Sequence, residues 1–201
     1  MMTNVYVLVH GGSKDGGVWN LVAQQLRQQG CQVYCPSLPE ASHSSLKEHI
    51  DTVCQVFTQN ALSQVRLVGH SYGGVVITGV ADLMHDKIEK LIYLDSTVPD
   101  SGQSLFTAAT AASHESLQKQ GVDPKPPFIQ PVIYDAKKWS ELEKHFILCT
   151  ESEFLKISKP TYERTLARKI QENWTSHKIK APHAAMLKAT NELIQLLLNI
   201  G

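Results

Sequence analysis

Long apolar runs are missing from this sequence. No stretch of its 201 residues approaches the ~18 consecutive apolar residues a membrane-spanning helix requires. The first residues, Met1-Met2-Thr3-Asn4, lack the basic start and apolar core of a secretory leader. The apolar run at 5–9 is cut short by His10-Gly11-Gly12. An excess of either charge is missing too: 19 Lys and Arg balance 19 Asp and Glu. That argues against a basic nucleic-acid surface and against a polybasic membrane patch. Cysteine is scarce. The four present (Cys31, Cys35, Cys54 and Cys149) form no C-x-x-C pair, so reduced thiols in a cytoplasmic protein are expected. A straight strand would hold Cys31 and Cys35 too far apart to bridge.

Several cofactor signatures are also lacking. The glycines at 11, 12, 16 and 17 have no Lys-Ser/Thr ending, so they make no Walker loop. No G-x-G-x-x-G follows the first apolar run. No His, Cys and carboxylate residues stand at metal-ligand spacing. The sequence therefore implies no cofactor and no metal. Internal repeats and low-complexity tracts are absent as well.

What remains is alternation. Short, nearly continuous apolar segments at 4–10, 32–35, 65–69, 88–95, 146–150 and 176–181 read as strands. Segments with helical spacing at 18–29, 44–58, 73–85 and 184–199 read as helices. Apolar strands alternating with helices predict an α/β fold: one domain spanning 1–201, with a doubly wound, mostly parallel sheet of about six strands. The segment 96–144 breaks the alternation and holds five of the nine prolines. It reads as a short helical lid over the C-terminal edge of the sheet, where such sheets bind ligands. Phe106, Phe128, Tyr134 and Trp139 within it are candidates to line an apolar pocket. So short an insertion predicts a relatively open pocket.

The strongest chemical signal is Gly69-His70-Ser71-Tyr72-Gly73-Gly74. It fits G-x-S-x-G, with a strand before it and a small-residue helix after it. That context puts the Ser71 hydroxyl on a tight, strained turn at the head of a helix. Serine needs a base to take its proton. Of nine histidines, His183 follows the last strand and precedes the last helix, the chain order this nucleophile requires. Developing negative charge needs two donors. The amide of Tyr72 and that of Gly12, in the loop after the first strand, are placed for it. His10 reads as a residue that shapes this loop.

His10-Gly11-Gly12, Trp19, the Gly69–Gly74 motif, Pro99-Asp100-Ser101-Gly102, Cys149-Thr150 and His183-Ala184-Ala185-Met186 resemble, in this order, the α/β-hydrolase superfamily. The resemblance is to the branch of plant methyl-esterases, hydroxynitrile lyases and their bacterial esterase relatives. It implies a serine carboxylesterase acting on a small, uncharged, fairly apolar ester, with an acyl-enzyme intermediate and no metal. Lyases of this branch carry Thr after the first-loop His and Lys after the catalytic His. Here those positions are Gly11 and Ala184, which favours ester hydrolysis over a hydroxynitrile lyase-like reaction. The triad acid is open. The family places an Asp in a Cys-Thr-x-Asp pattern, where this chain has Ser152. Asp95, at the end of the fourth strand, is the first choice, with Glu153 and Glu151 as the alternatives. The missing Asp also leaves room for a non-catalytic, hydrolase-like ligand-binding protein.

Overall fold

The computed structural model describes residues 4–12, 14–110 and 125–200. The apolar segments form six strands: β1 (Val5–Val9), β2 (Gln32–Tyr34), β3 (Val65–His70), β4 (Ile88–Leu94), β5 (Glu143–Cys149) and β6 (Trp174–Ile179). They pair in the order β2-β1-β3-β4-β5-β6, and every pairing is parallel. Because successive side chains of a strand point to opposite faces, β1 feeds two cores. Tyr6 and Leu8 join Trp19, Leu26, Met186 and Leu197 on one face. Val7 and Val9 join Phe57, Val75, Tyr93 and Phe146 on the other. A strand buried on both sides cannot alternate apolar with polar residues, which is why the strand signal is a continuous run.

Helices cover both faces. α1 (Asn20–Gln28) follows a 3-10 turn at Gly16–Trp19, and α2 is Leu46–Gln59. A capping box starts α2. The Glu48 amide donates to Ser45 Oγ at 3.2 Å, and the Ser45 amide donates to Glu48 Oε2 at 2.7 Å. α3 (Gly73–Leu83) follows β3 directly. Between β4 and β5 the described chain forms three short helices: α4 (Leu105–Thr110), α5 (Pro126–Ile129) and α6 (Ala136–Glu141). α7 (Leu155–Ala167) links β5 to β6, and the chain ends in α8 (Ala185–Lys188) and α9 (Thr190–Asn199).

Two expectations are corrected, and one helix comes without a sequence signal. The fifth strand starts at Glu143, not at 146, so the 96–144 insertion overlaps it. Its polar start hides it from a hydrophobicity reading: Lys144 is buried, and its ammonium donates to the carbonyls of Trp139, Ser140 and Leu142 at 2.7–3.2 Å. It also sits 4.4 Å from the Trp139 ring centroid. Secondly, α7 carries no helical signal, because its buried residues are Ser158, Thr161 and Thr165 and it holds Pro160 inside. Thirdly, the expected single helix over 184–199 breaks at Ala189, whose backbone (φ −139°, ψ 46°) is not helical.

Strand order places the site. The chain moves from β1 outward to β2, then returns to β3 on the other side of β1. The loops leaving β1 and β3 therefore diverge and open a crevice at the sheet's C-terminal edge. His10-Gly11-Gly12 leaves β1 there, and Ser71 leaves β3.

Candidate active site

Ser71 occupies a left-handed backbone conformation, φ +54°. Such a residue costs on the order of 1–3 kcal/mol and persists only where its surroundings hold it. They do so here. The Ser71 amide donates to Leu94 O at 3.2 Å, and its carbonyl accepts from the Ser96 hydroxyl at 2.6 Å. The flanking glycines are required by close approach. A Cβ on Gly69 would lie 2.6 Å from Gly73 O, and one on Gly73 would lie 2.7 Å from Val9 O. The Tyr72 amide stands at the head of α3, where an α-helix leaves N–H groups without an intrahelical acceptor.

His10 shapes the neighbouring loop, as its position suggested. Its Nε2 accepts the Leu38 amide at 2.9 Å. That fixes the proton on Nδ1, which donates to Gly11 O at 2.8 Å. Gly11 packs against the turn so closely that a Cβ would lie 2.9 Å from Ser71 Cβ.

His183, in the loop between β6 and α8, meets Asp95. His183 Nδ1 lies 2.7 Å from Asp95 Oδ2, and the carboxylate is fully buried. Asp95 also has a left-handed φ, +42°, and its Oδ1 accepts the Cys149 amide at 3.3 Å. Burial alone would raise the carboxyl pKa. Hydrogen bonds from His183, Ser152 and Ser158 outweigh it and hold the group below the usual carboxylate range. A carboxylate can only accept, so His183 Nδ1 carries the proton and Nε2 keeps a free lone pair. Such an imidazole can take a proton from a hydroxyl.

Of the alternative acids, Glu153 meets the backbone of His183, accepting its amide at 3.3 Å, and its own backbone amide. Glu151 pairs with Lys180 at 3.8 Å on the surface. Ser152 stands where an Asp was expected. Its hydroxyl bonds Asp95 and accepts the Phe154 amide at 3.1 Å.

His70 Nε2 lies 3.0 Å from the His183 carbonyl, and the two rings lie 4.4 Å apart. Since a carbonyl only accepts, Nε2 carries the His70 proton. Burial depresses the His70 pKa to about 3, so the ring stays neutral. This prop was not foreseen. Its sequence signal was a histidine directly before the motif serine.

Ser71, Asp95 and His183 border a cavity of about 210 Å³ with Phe106, Phe154 and Ile157. A second, of about 410 Å³, is bordered by His10, Gly12, His49, Tyr72 and Phe128. Phe106 and Phe128 thus line cavities as expected. Tyr134 and Trp139 border neither of these two. They pack on each other at 5.4 Å, the Tyr134 hydroxyl donates to Pro99 O at 3.0 Å, and Trp139 packs on Trp174. Among the described residues no group of three or more His, Cys, Asp or Glu could hold a metal ion, and no helix is long and apolar enough to cross a membrane.

The family model for the alpha/beta hydrolase family matches residues 6–189. This chain belongs to the alpha/beta hydrolase family. Among curated relatives, it is 43% identical over 123 residues to the carbendazim hydrolyzing esterase of Nocardioides sp. (strain SG-4G), a match covering 57% of this chain and 51% of that protein. It is 29% identical over 111 residues to putative methylesterase 11, chloroplastic, of Arabidopsis thaliana, covering 51% and 28%. The matches therefore span about half or less of these relatives' length. Among solved structures, an extracellular alpha/beta-hydrolase from a Paenibacillus species superposes with a TM-score of 0.76 at 21% identity, covering 98% of this chain and 99% of that one. Polyneuridine aldehyde esterase superposes with a TM-score of 0.77 at 17% identity, covering 99% of each. At such identities the structures speak for the alpha/beta hydrolase fold alone.

Proposed function

We propose that the protein is a serine carboxylesterase acting on a small, uncharged ester. The observation that carries this reading is the 2.7 Å contact of His183 Nδ1 with buried Asp95, beside a serine held in a strained turn on the same cavity. The esterases among the relatives support the reaction class. Ser71 attacks the ester carbonyl while His183 Nε2 takes its proton. Asp95 keeps His183 in the required tautomer and stabilises the imidazolium. The amides of Gly12 and Tyr72 receive the oxyanion. His183 then returns the proton to the departing alcohol, and water releases the acyl group by the same route in reverse. The helices between β4 and β5 act as a small lid, with Leu105, Phe106 and Ala109 of α4 forming one wall of the cavity.

The test is covalent labelling by a fluorophosphonate together with turnover of p-nitrophenyl acetate. Wild type labels and turns over. Ser71→Ala does neither. A folded wild-type protein that neither labels nor hydrolyses any member of a short-chain ester panel refutes the enzyme reading and leaves a hydrolase-like binding protein.

A further inference from the structure

The larger cavity is bordered by charged residues at Lys14, Asp15, Glu40 and Lys125, and its buried polar wall, His49 and Tyr72, has a hydrogen-bond polarity that follows from its neighbours. Ser44 Oγ donates its only proton to Glu40 O at 2.8 Å. Its 2.8 Å contact with His49 Nε2 must then be donated by the ring, so His49 carries its proton on Nε2. His49 Nδ1 is therefore an acceptor. The Tyr72 hydroxyl, 2.8 Å from Nδ1, is its donor. His49 and Tyr72 are both buried, 2% exposed each, and both border the cavity. The Phe128 ring packs edge-on against Tyr72 at 4.7 Å and would lie 3.2 Å from a Cβ on Gly12. Burial lowers the His49 pKa, in keeping with a neutral ring. With its proton committed, the Tyr72 oxygen has only acceptor capacity left.

The two cavities also take different halves of an ester, granted the esterase reading above. The leaving oxygen must reach His183 to collect its proton. The smaller, apolar cavity has His183 in its wall and so holds the alcohol. The larger one lies beside Gly12 and Tyr72, whose amides hold the carbonyl oxygen, and so holds the acyl group. We infer that the larger cavity is the acyl subsite, and that the Tyr72 hydroxyl, its proton committed to His49, selects acyl groups bearing an N–H or O–H donor.

Binding separates this inference from catalysis. The probes are methyl esters of the 2-, 3- and 4-hydroxyphenylpropanoic acids and their methoxy counterparts, titrated calorimetrically into Ser71→Ala protein, which cannot consume them. At least one hydroxy ester binds several-fold to about tenfold tighter than its methoxy partner, the range one net hydrogen bond supplies. The ratio collapses to one when Tyr72→Phe is added. Equal binding within all three pairs overturns the inference. So does a preference that survives Tyr72→Phe. Turnover of the same esters by wild type reports on the parent reading alone. Hydrolysis without discrimination overturns only the subsite, whereas discrimination by a wild-type protein that neither labels with a fluorophosphonate nor hydrolyses any short-chain ester keeps a donor-selective cavity and overturns the esterase and, with it, the acyl assignment.

Discussion

Replacing Asp95 by Asn tests the arrangement at its most specific point. The side chain keeps its size, but one acceptor becomes an NH₂ donor. In the native site Oδ2 accepts from His183 Nδ1 at 2.7 Å and Oδ1 accepts the Cys149 amide at 3.3 Å. An amide cannot serve both. With its NH₂ towards His183, it donates to Nδ1 and moves the ring proton to Nε2, where it blocks proton transfer from Ser71. Turned the other way, its NH₂ faces the Cys149 N–H. The first orientation gives the wrong tautomer, a change worth about 10⁴ in kcat in a serine triad. That is about 5 kcal/mol of transition-state stabilisation. Steady-state kinetics on p-nitrophenyl acetate measure it, with KM expected to change little. Glu153→Gln, which touches the His183 amide, loses less than about threefold by the scale of a weak exposed contact. Adding Ser152→Asp to Asp95→Asn puts a carboxylate back beside the same ring and restores part of kcat. An Asp95→Asn variant with near-native kcat, or Glu153→Gln falling as far, refutes the assignment of the acid.

Other perturbations have defined signs. The His70 pKa of about 3 lies below the ordinary 6.5, so the unfolded chain binds a proton that the folded chain refuses. His70 thus contributes stability that is full above pH 6.5 and is lost as pH falls towards 3, up to about 5 kcal/mol in all. Urea unfolding between pH 7 and 4 shows a shallower decline in His70→Gln, and an unchanged slope refutes this. Gly11→Ala drives a methyl to 2.9 Å from Ser71 Cβ and 3.1 Å from His70 Nδ1. Overpacking of about 1–3 kcal/mol shifts the serine, so kcat falls by about tenfold or more; retained kcat shows that the turn yields freely. Lys144→Met strips the donors from three carbonyls around the end of α6. It lowers stability by about 2 kcal/mol but changes kcat by less than about twofold, since β5 carries it at the end remote from Asp95. A urea midpoint equal to wild type counts against it.

The strands were legible where burial on two faces forces continuous apolar residues, as in β1, β3 and β4. Legibility failed where burial was achieved by other means. β5 opens with Glu143, Lys144 and His145, and Lys144 is buried through indole faces and carbonyl acceptors that no local pattern reveals. α7 turns hydroxyls inward because what it faces is polar: Ser158 meets Asp95 and Thr165 meets Ser176 at 3.0 Å. The same feature that hid the helix therefore belongs to the site it supports.

The placement of Ser71 and His183 at one sheet edge could be read from chain order, since a motif after one strand and a histidine after the last one are local facts. The carboxylate that meets His183 could be put first among three but not singled out, because it depends on which one reaches across the sheet edge. With the order β3-β4-β5-β6, His183 must lean from beyond β6 over the end of β5 to approach Ser71 after β3. A carboxylate after β4 lies between the two, on the path the ring takes. Placing a second one at residue 152 would set two like charges around one imidazole, and one would have to take up a proton. Ser152 avoids this. Its hydroxyl donates to Asp95 and fills the place with a neutral partner. The serine that made the site look incomplete in the sequence thus suits a carboxylate placed after β4.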